Sequence, residues 1–148
     1  MAIRSGPLRS LAWTIIASGF YDSVAALIFF FAIGTGRLID QPPTHSFYAV
    51  FLGSFLICFA YLQFLSALNI RLYAFNVGCL IIGRAFYVVQ LLAYILFVEG
   101  FPLSLSFTGV IDATFTTLYV VFALRGGLRM SDLFFPCMGE GVEPSQRS

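Results

Sequence analysis

The sequence contains no lysine, and charge of either sign is scarce: Lys, Arg, Asp and Glu together make up 10% of its 148 residues. A soluble domain carries about 25%, so this chain has too little polar surface to wet a globule of its size. The eight basic residues are all Arg and lie scattered. That leaves no basic face for nucleic acid, which is not expected as a partner. There is one histidine, His45, and there are three cysteines, Cys58, Cys79 and Cys137, with no CxxC pair among them. One His and dispersed Cys cannot supply four metal ligands or the two axial histidines of a haem. No Ser-His-Asp constellation and no Gly-rich phosphate loop is evident. No cofactor, no metal site and no catalytic residue is therefore predicted, and an autonomous enzyme is disfavoured. Cys58 and Cys79 read as small buried hydrophobes and Cys137 as a free thiol in the tail.

What the sequence has in quantity is long apolar runs, with hydrophobic residues at 59%. A membrane-spanning helix needs about 20 consecutive apolar residues. Four runs qualify, at about 11–34, 47–68, 72–98 and 103–124. The reading is an all-α polytopic membrane protein, an antiparallel bundle of four transmembrane helices over residues 1–130, with a loose C-terminal tail over 131–148. The first run contains Asp22 and is long for a signal-peptide core, so it reads as a retained span. The connections Asn69-Ile70-Arg71 and Glu99-Gly100-Phe101-Pro102 are short. They predict a tight up-down series for helices two, three and four. Arg4, Arg9, Arg71, Arg125 and Arg129 fall on one side of the bundle and Arg37 alone on the other. That bias predicts both termini in the cytoplasm.

Three ionisable residues lie inside the spans: Asp22 at the middle of the first, Arg84 at the middle of the third, and Asp112 close to the middle of the fourth. An isolated charge at a helix centre costs about 2.5–3.5 kcal/mol on insertion scales. The three are therefore expected to face inward and meet, with the Arg84 guanidinium forked onto carboxylate. Two carboxylates and one guanidinium leave one surplus negative charge, and one proton held on an Asp or shared at neutral pH is expected. Thr108 and Thr116 flank Asp112 at i−4 and i+4, with Tyr119 at i+7. Ser18, Gly19, Ala25 and Ala26 form a small-residue face around Asp22 that permits close helix approach. Tyr87 lies one turn beyond Arg84. On the second span Ser54, Cys58 and Tyr61 share one face, with Gln63 placed nearer the cytoplasmic end. The candidate polar network or ligand cavity is thus Asp22, Arg84, Asp112, Tyr61, Tyr87, Thr108 and Thr116.

The length, the four spans, Gly83-Arg84 in the third span and Asp112-Ala113 in the fourth resemble the small bacterial DoxX-like membrane proteins. The resemblance is one of architecture over the whole chain. It implies a bacterial inner-membrane location and a subunit of a quinone-linked oxidoreductase, and it assigns no catalytic residue here. Three functions follow from the sequence: a non-enzymatic accessory, anchoring or assembly subunit; a proton-coupled carrier or small-ligand-binding bundle; and the quinone-linked subunit. The partners expected are the lipid bilayer and either other membrane subunits or further copies of the chain.

Overall fold

The computed structural model describes residues 6–35, 43–100 and 105–135. Helix α1 spans Arg9–Leu27 and continues into a π-helical turn, Ile28–Ile33. Helix α2 spans Pro43–Leu68, α3 Ala74–Phe97, α4 Ser106–Arg125, and a short α5 Met130–Phe134. There is no strand among the described residues. Four helical segments, Arg9–Ile33, His45–Leu68, Ala74–Phe97 and Ser106–Arg125, are 20 to 25 residues long and apolar enough to cross a membrane. At about 1.5 Å per residue, 20 residues already match a hydrocarbon core of about 30 Å. The protein is a small helical membrane protein, and its fold is the four-helix bundle.

Helix formation throughout the spans follows from the solvent. In hydrocarbon each backbone N–H and C=O must be satisfied within the segment, and a helix does this locally. Hydroxyl side chains on the spans follow the same rule. Ser23, Ser54, Thr114 and Thr117 each donate to the carbonyl four residues back. The α2–α3 connection turns on Asn69. Its backbone carbonyl accepts from Tyr73 N–H at 3.0 Å and its side-chain oxygen from Leu72 N–H at 3.2 Å.

The helices close into a ring in chain order, α1 beside α2, α2 beside α3, α3 beside α4, and α4 beside α1. The contacts are uneven. The most extensive pairing joins α1 to α2, the next α3 to α4, and the lightest joins α2 to α3. The up-down series expected for helices two to four is present, with the α2–α3 seam its lightest pairing. Gly83 presents no side chain there, and a Cβ built on it would find only the Phe59 ring, 3.9 Å away.

Small residues set the close pairings. Ala49, Gly53, Ala60, Gln63 and Ala67 form the buried stripe of α2. At Gly53 a Cβ would lie 3.3 Å from both the Ala26 carbonyl and Phe29 Cβ, so α2 and α1 meet nearly backbone to backbone. The expected polar face of α2 is therefore corrected: Ser54, Cys58 and Tyr61 are exposed on its outer side. Ser54 satisfies its hydroxyl on Val50 and needs no interior partner. Cys79 is exposed as well, so neither thiol in the spans is buried as expected. An apolar run meets apolar lipid on its outer faces, and its composition does not say which face turns inward.

Packing also differs between the two ends. At the end carrying Arg9, Arg71, Arg125 and Arg129, a continuous core contains Leu11, Ile15, Val77, Tyr119, Ala123 and Leu133. The described start of the tail belongs to this core. It forms α5, with Leu133 fully buried against α3 at Gly78, where any Cβ would collide with the Leu133 carbonyl. A loose tail was expected from residue 131; this first stretch instead docks, because Gly78 opens a seat for its backbone. Residues 136–148, Cys137 included, lie outside the described residues, as do Arg37 in the first loop and Phe101-Pro102 in the third. Toward the opposite end, the buried positions are few: Ala26, Ala49, Gly53, Leu91 and Gly109.

Candidate functional site

The boundary between the packed end and the thinner end is polar. Arg84 extends from α3 into the centre of the ring with its side chain only 9% exposed. Its Nη2 donates to Asp22 Oδ2 and to Ser18 Oγ on α1, each at 2.6 Å, and its Nη1 donates to Asp112 Oδ1 on α4. Gln63 on α2 is fully buried and donates from Nε2 to the same Asp22 oxygen at 2.5 Å. One connected network therefore touches all four spanning helices. Phe115 covers the guanidinium from α4, with its ring centroid 5.3 Å from Cζ, a stacking that suits a weakly hydrated planar cation.

Local helix geometry places these groups. Ser18 and Asp22 are four residues apart and share one face of α1, and Thr108, Asp112 and Thr116 are spaced likewise on α4. Burying two carboxylates and a guanidinium carries a desolvation cost of several kcal/mol per ion, offset only if geometry and hydrogen bonding are good. The fork of Arg84 meets that condition by giving each terminal nitrogen a carboxylate oxygen.

The network is not enclosed by packing on every side. A cavity of about 300 Å³ opens beside it. Asp22, Gln63, Arg84 and Asp112 form its polar base, and its walls include Leu52, Phe55, Leu56 and Phe59 of α2 and Gly83 and Tyr87 of α3. It occupies the lightly packed α2–α3 seam, and it extends from mid-span to Thr108 near the start of α4. The hydroxyls of Tyr87 and Thr108 are 2.7 Å apart on its wall. Thr108 donates its own proton to the Leu105 carbonyl, so Tyr87 is the donor in that pair. Two buried polar atoms at the base, Gln63 Oε1 and Arg84 Nε, have no hydrogen-bond partner among the described residues.

No family model matches this chain, and no curated protein or solved structure is significantly similar to it.

Of the seven residues singled out from sequence, the structure brings Asp22, Arg84 and Asp112 into direct contact and sets Tyr87 and Thr108 on the cavity wall. Thr116 is next to the cluster but donates to the Asp112 carbonyl of its own helix. Tyr61 does not join them: it is 65% exposed and borders a shallow apolar groove between α1 and α2 with Ile16, Phe20 and Phe64. Gln63, nearer the cytoplasmic end, is among the residues expected to complete a hydrogen-bonded interior, and Ser18 belongs to the expected small-residue face. Both prove to be direct members of the network. The signal for Gln63 was its place on the stripe of small residues in α2, where a buried amide must find a partner. Among the described residues no three His, Cys, Asp or Glu side chains gather closely enough to hold a metal ion.

Proposed function

We propose that the chain is a small-ligand-binding bundle of the membrane, taking a predominantly apolar small molecule into the cavity between α2 and α3 and seating its polar end on the network at the base. The observation that carries this reading is the cavity itself. A purely structural ion-pair cluster is best served by solid packing on all sides. Here about 300 Å³ of space adjoins buried, partly unpaired polar atoms. A pocket of that size, largely apolar with a few convergent polar groups, has the general make-up of a ligand site. The seam is bordered on one side by α2, whose residues Phe55 and Leu52 are half exposed. A ligand dissolved in the bilayer therefore has a lateral route to it.

The arginine-bearing end, capped by α5, is proposed to face the cytoplasm of a bacterial inner membrane, following the positive-inside bias. The accessory-subunit and quinone-linked readings stand on the sequence alone, and neither draws on a geometric feature of the site.

Accessibility tests the proposal. In a background with Cys58, Cys79 and Cys137 changed to Ser, single substitutions Gly83→Cys, Thr108→Cys and Val77→Cys are reconstituted in nanodiscs. They are then treated with a membrane-partitioning maleimide. Labelling is expected at the first two positions, which line the cavity, and not at Val77, which is fully buried in the packed end. Equal protection of all three sites contradicts the proposal.

A further inference from the structure

The charge balance at the base of the cavity identifies a class of ligand. This inference rests on the binding role just proposed. At mid-span, away from the terminal Arg9 and Arg125, the formally charged side chains are Asp22, Arg84 and Asp112, with one guanidinium for two carboxylates. Arg84 engages one oxygen of each carboxylate, and Gln63 adds its donor to the oxygen of Asp22 already in use. Asp22 Oδ1 and Asp112 Oδ2 accept no hydrogen bond from the described residues. Gln63 Oε1, fully buried, is a further acceptor without a donor. The base therefore holds three acceptor atoms without a donor beside one unpaired donor, Arg84 Nε, and, with both carboxylates ionised, one negative charge that a proton or a bound cation must balance in this low-dielectric surrounding.

The walls have complementary chemistry. Tyr21, Phe55, Phe59 and Tyr87 line the cavity, and aromatic faces attract cations as well as apolar surface. A third anion at this base would meet two carboxylates, and a neutral hydrocarbon would leave the acceptors unpaired. We infer that the cavity takes an organic monocation bearing N–H donors on an apolar body, a lipophilic primary or secondary amine, with its ammonium group on Asp22 and Asp112. Its single charge would balance the cluster, and its N–H groups match the free acceptors.

The experiment uses the full chain in neutral maltoside micelles and measures saturable binding of three probes of one shape by calorimetry, with empty micelles as the control for partitioning. The probes are phenylbutylamine, phenylbutanol and phenylbutyrate, which carry a cationic, a neutral and an anionic end. The amine is expected to bind more tightly than the alcohol by at least about tenfold, since a charge-assisted hydrogen bond is stronger than a neutral one. The carboxylate is expected not to bind. Asp112→Asn removes the excess charge while leaving the Arg84–Asp22 pair. It is expected to erase the preference for the amine over the alcohol. If that variant is not monodisperse, the wild-type comparison of amine with alcohol decides alone. Equal binding of amine and alcohol overturns the cation assignment and leaves the binding role standing. Tightest binding of phenylbutyrate overturns it in favour of Arg84 as an anion anchor. If no probe binds, the assignment is overturned too, and cysteine labelling at Gly83 and Thr108 shows separately whether the cavity reading fails with it.

Discussion

Arg84 on α3 donates to Asp22 on α1 at 2.6 Å, across the diagonal of the ring and between two helices whose backbones make few close approaches. Neighbouring helices can hold one another by close packing of small residues, but a diagonal pair is too far apart for that. A long side chain with several donors bridges the gap, and Arg84 does so while also holding Asp112 and Ser18. The network thus adds a direct polar link between two helices that otherwise share only the apolar core at the arginine-bearing end.

Replacing Arg84 by Leu leaves two buried carboxylates without their counter-ion. Breaking a buried pair from one side costs about 3–5 kcal/mol, and a loss of that order is expected in the folded fraction measured by titration from mild detergent into dodecyl sulfate. Arg84→Lys is expected to fall between that variant and the wild type, because an ammonium retains the charge but cannot fork onto acceptors from two helices. A Leu variant as stable as the wild type would show that the network contributes nothing.

Gln63→Leu removes the one donor that α2 contributes. A cost of about 1–3 kcal/mol is expected for stripping a partner from a buried charged acceptor. Gln63→Glu is expected to be worse, since it adds a third carboxylate beside Asp22. The same detergent titration checks both, and the order of the two variants is the informative result.

At Gly78 the backbone of α5 lies where a Cβ would be, against the Leu133 carbonyl. Gly78→Ala is therefore expected to lift α5 from its seat without unfolding α1 to α4. Cleavage by trypsin after Arg129 reports the change. Its rate is expected to rise about tenfold, the equivalent of about 1.4 kcal/mol in the local opening equilibrium. An unchanged rate would contradict the docked position of α5.

The close approach of α4 to α3 depends on Gly109, where a Cβ would strike Leu91 Cδ2. Gly109→Ala is expected to destabilise by no more than about 1 kcal/mol, because only the tip of Leu91 has to turn aside. Adding Leu91→Ala relieves the clash, so the double variant is expected to be more stable than the sum of the two single costs implies. Simple additivity would place the two residues out of contact.

The four spans and the meeting of Asp22, Arg84 and Asp112 were legible in the sequence for one reason: lipid makes lone charges and unpaired backbone groups so unfavourable that few arrangements remain. The facing of α2 was not legible by the same logic. Ser54, Cys58 and Tyr61 are polar enough to suggest an interior, yet Ser54 turns its hydroxyl onto its own helix and all three face outward. The inward face is marked by smallness, through Ala49, Gly53, Ala60 and Ala67, with Gln63 carried along that stripe. The docking of Leu133 was hidden too, because it depends on a gap left by Gly78 more than 50 residues away in the chain. The cavity lies along the lightly packed α2–α3 seam, beside Gly83, and hydropathy does not register how two helices pack.

The convergence of the three charges is tested most directly by exchanging two of them. Arg84→Asp places three carboxylates together, and Asp112→Arg sets two guanidinium groups against one Asp. Each single variant is expected to lose most of its monodisperse, detergent-stable protein. The double variant restores one cation and two anions at the same place, and it is expected to recover a stable fraction well above either single variant in thermal melts followed by size-exclusion chromatography. A double variant no better than the worse of the two singles would contradict the pairing of Arg84 with Asp112 at the base of the cavity.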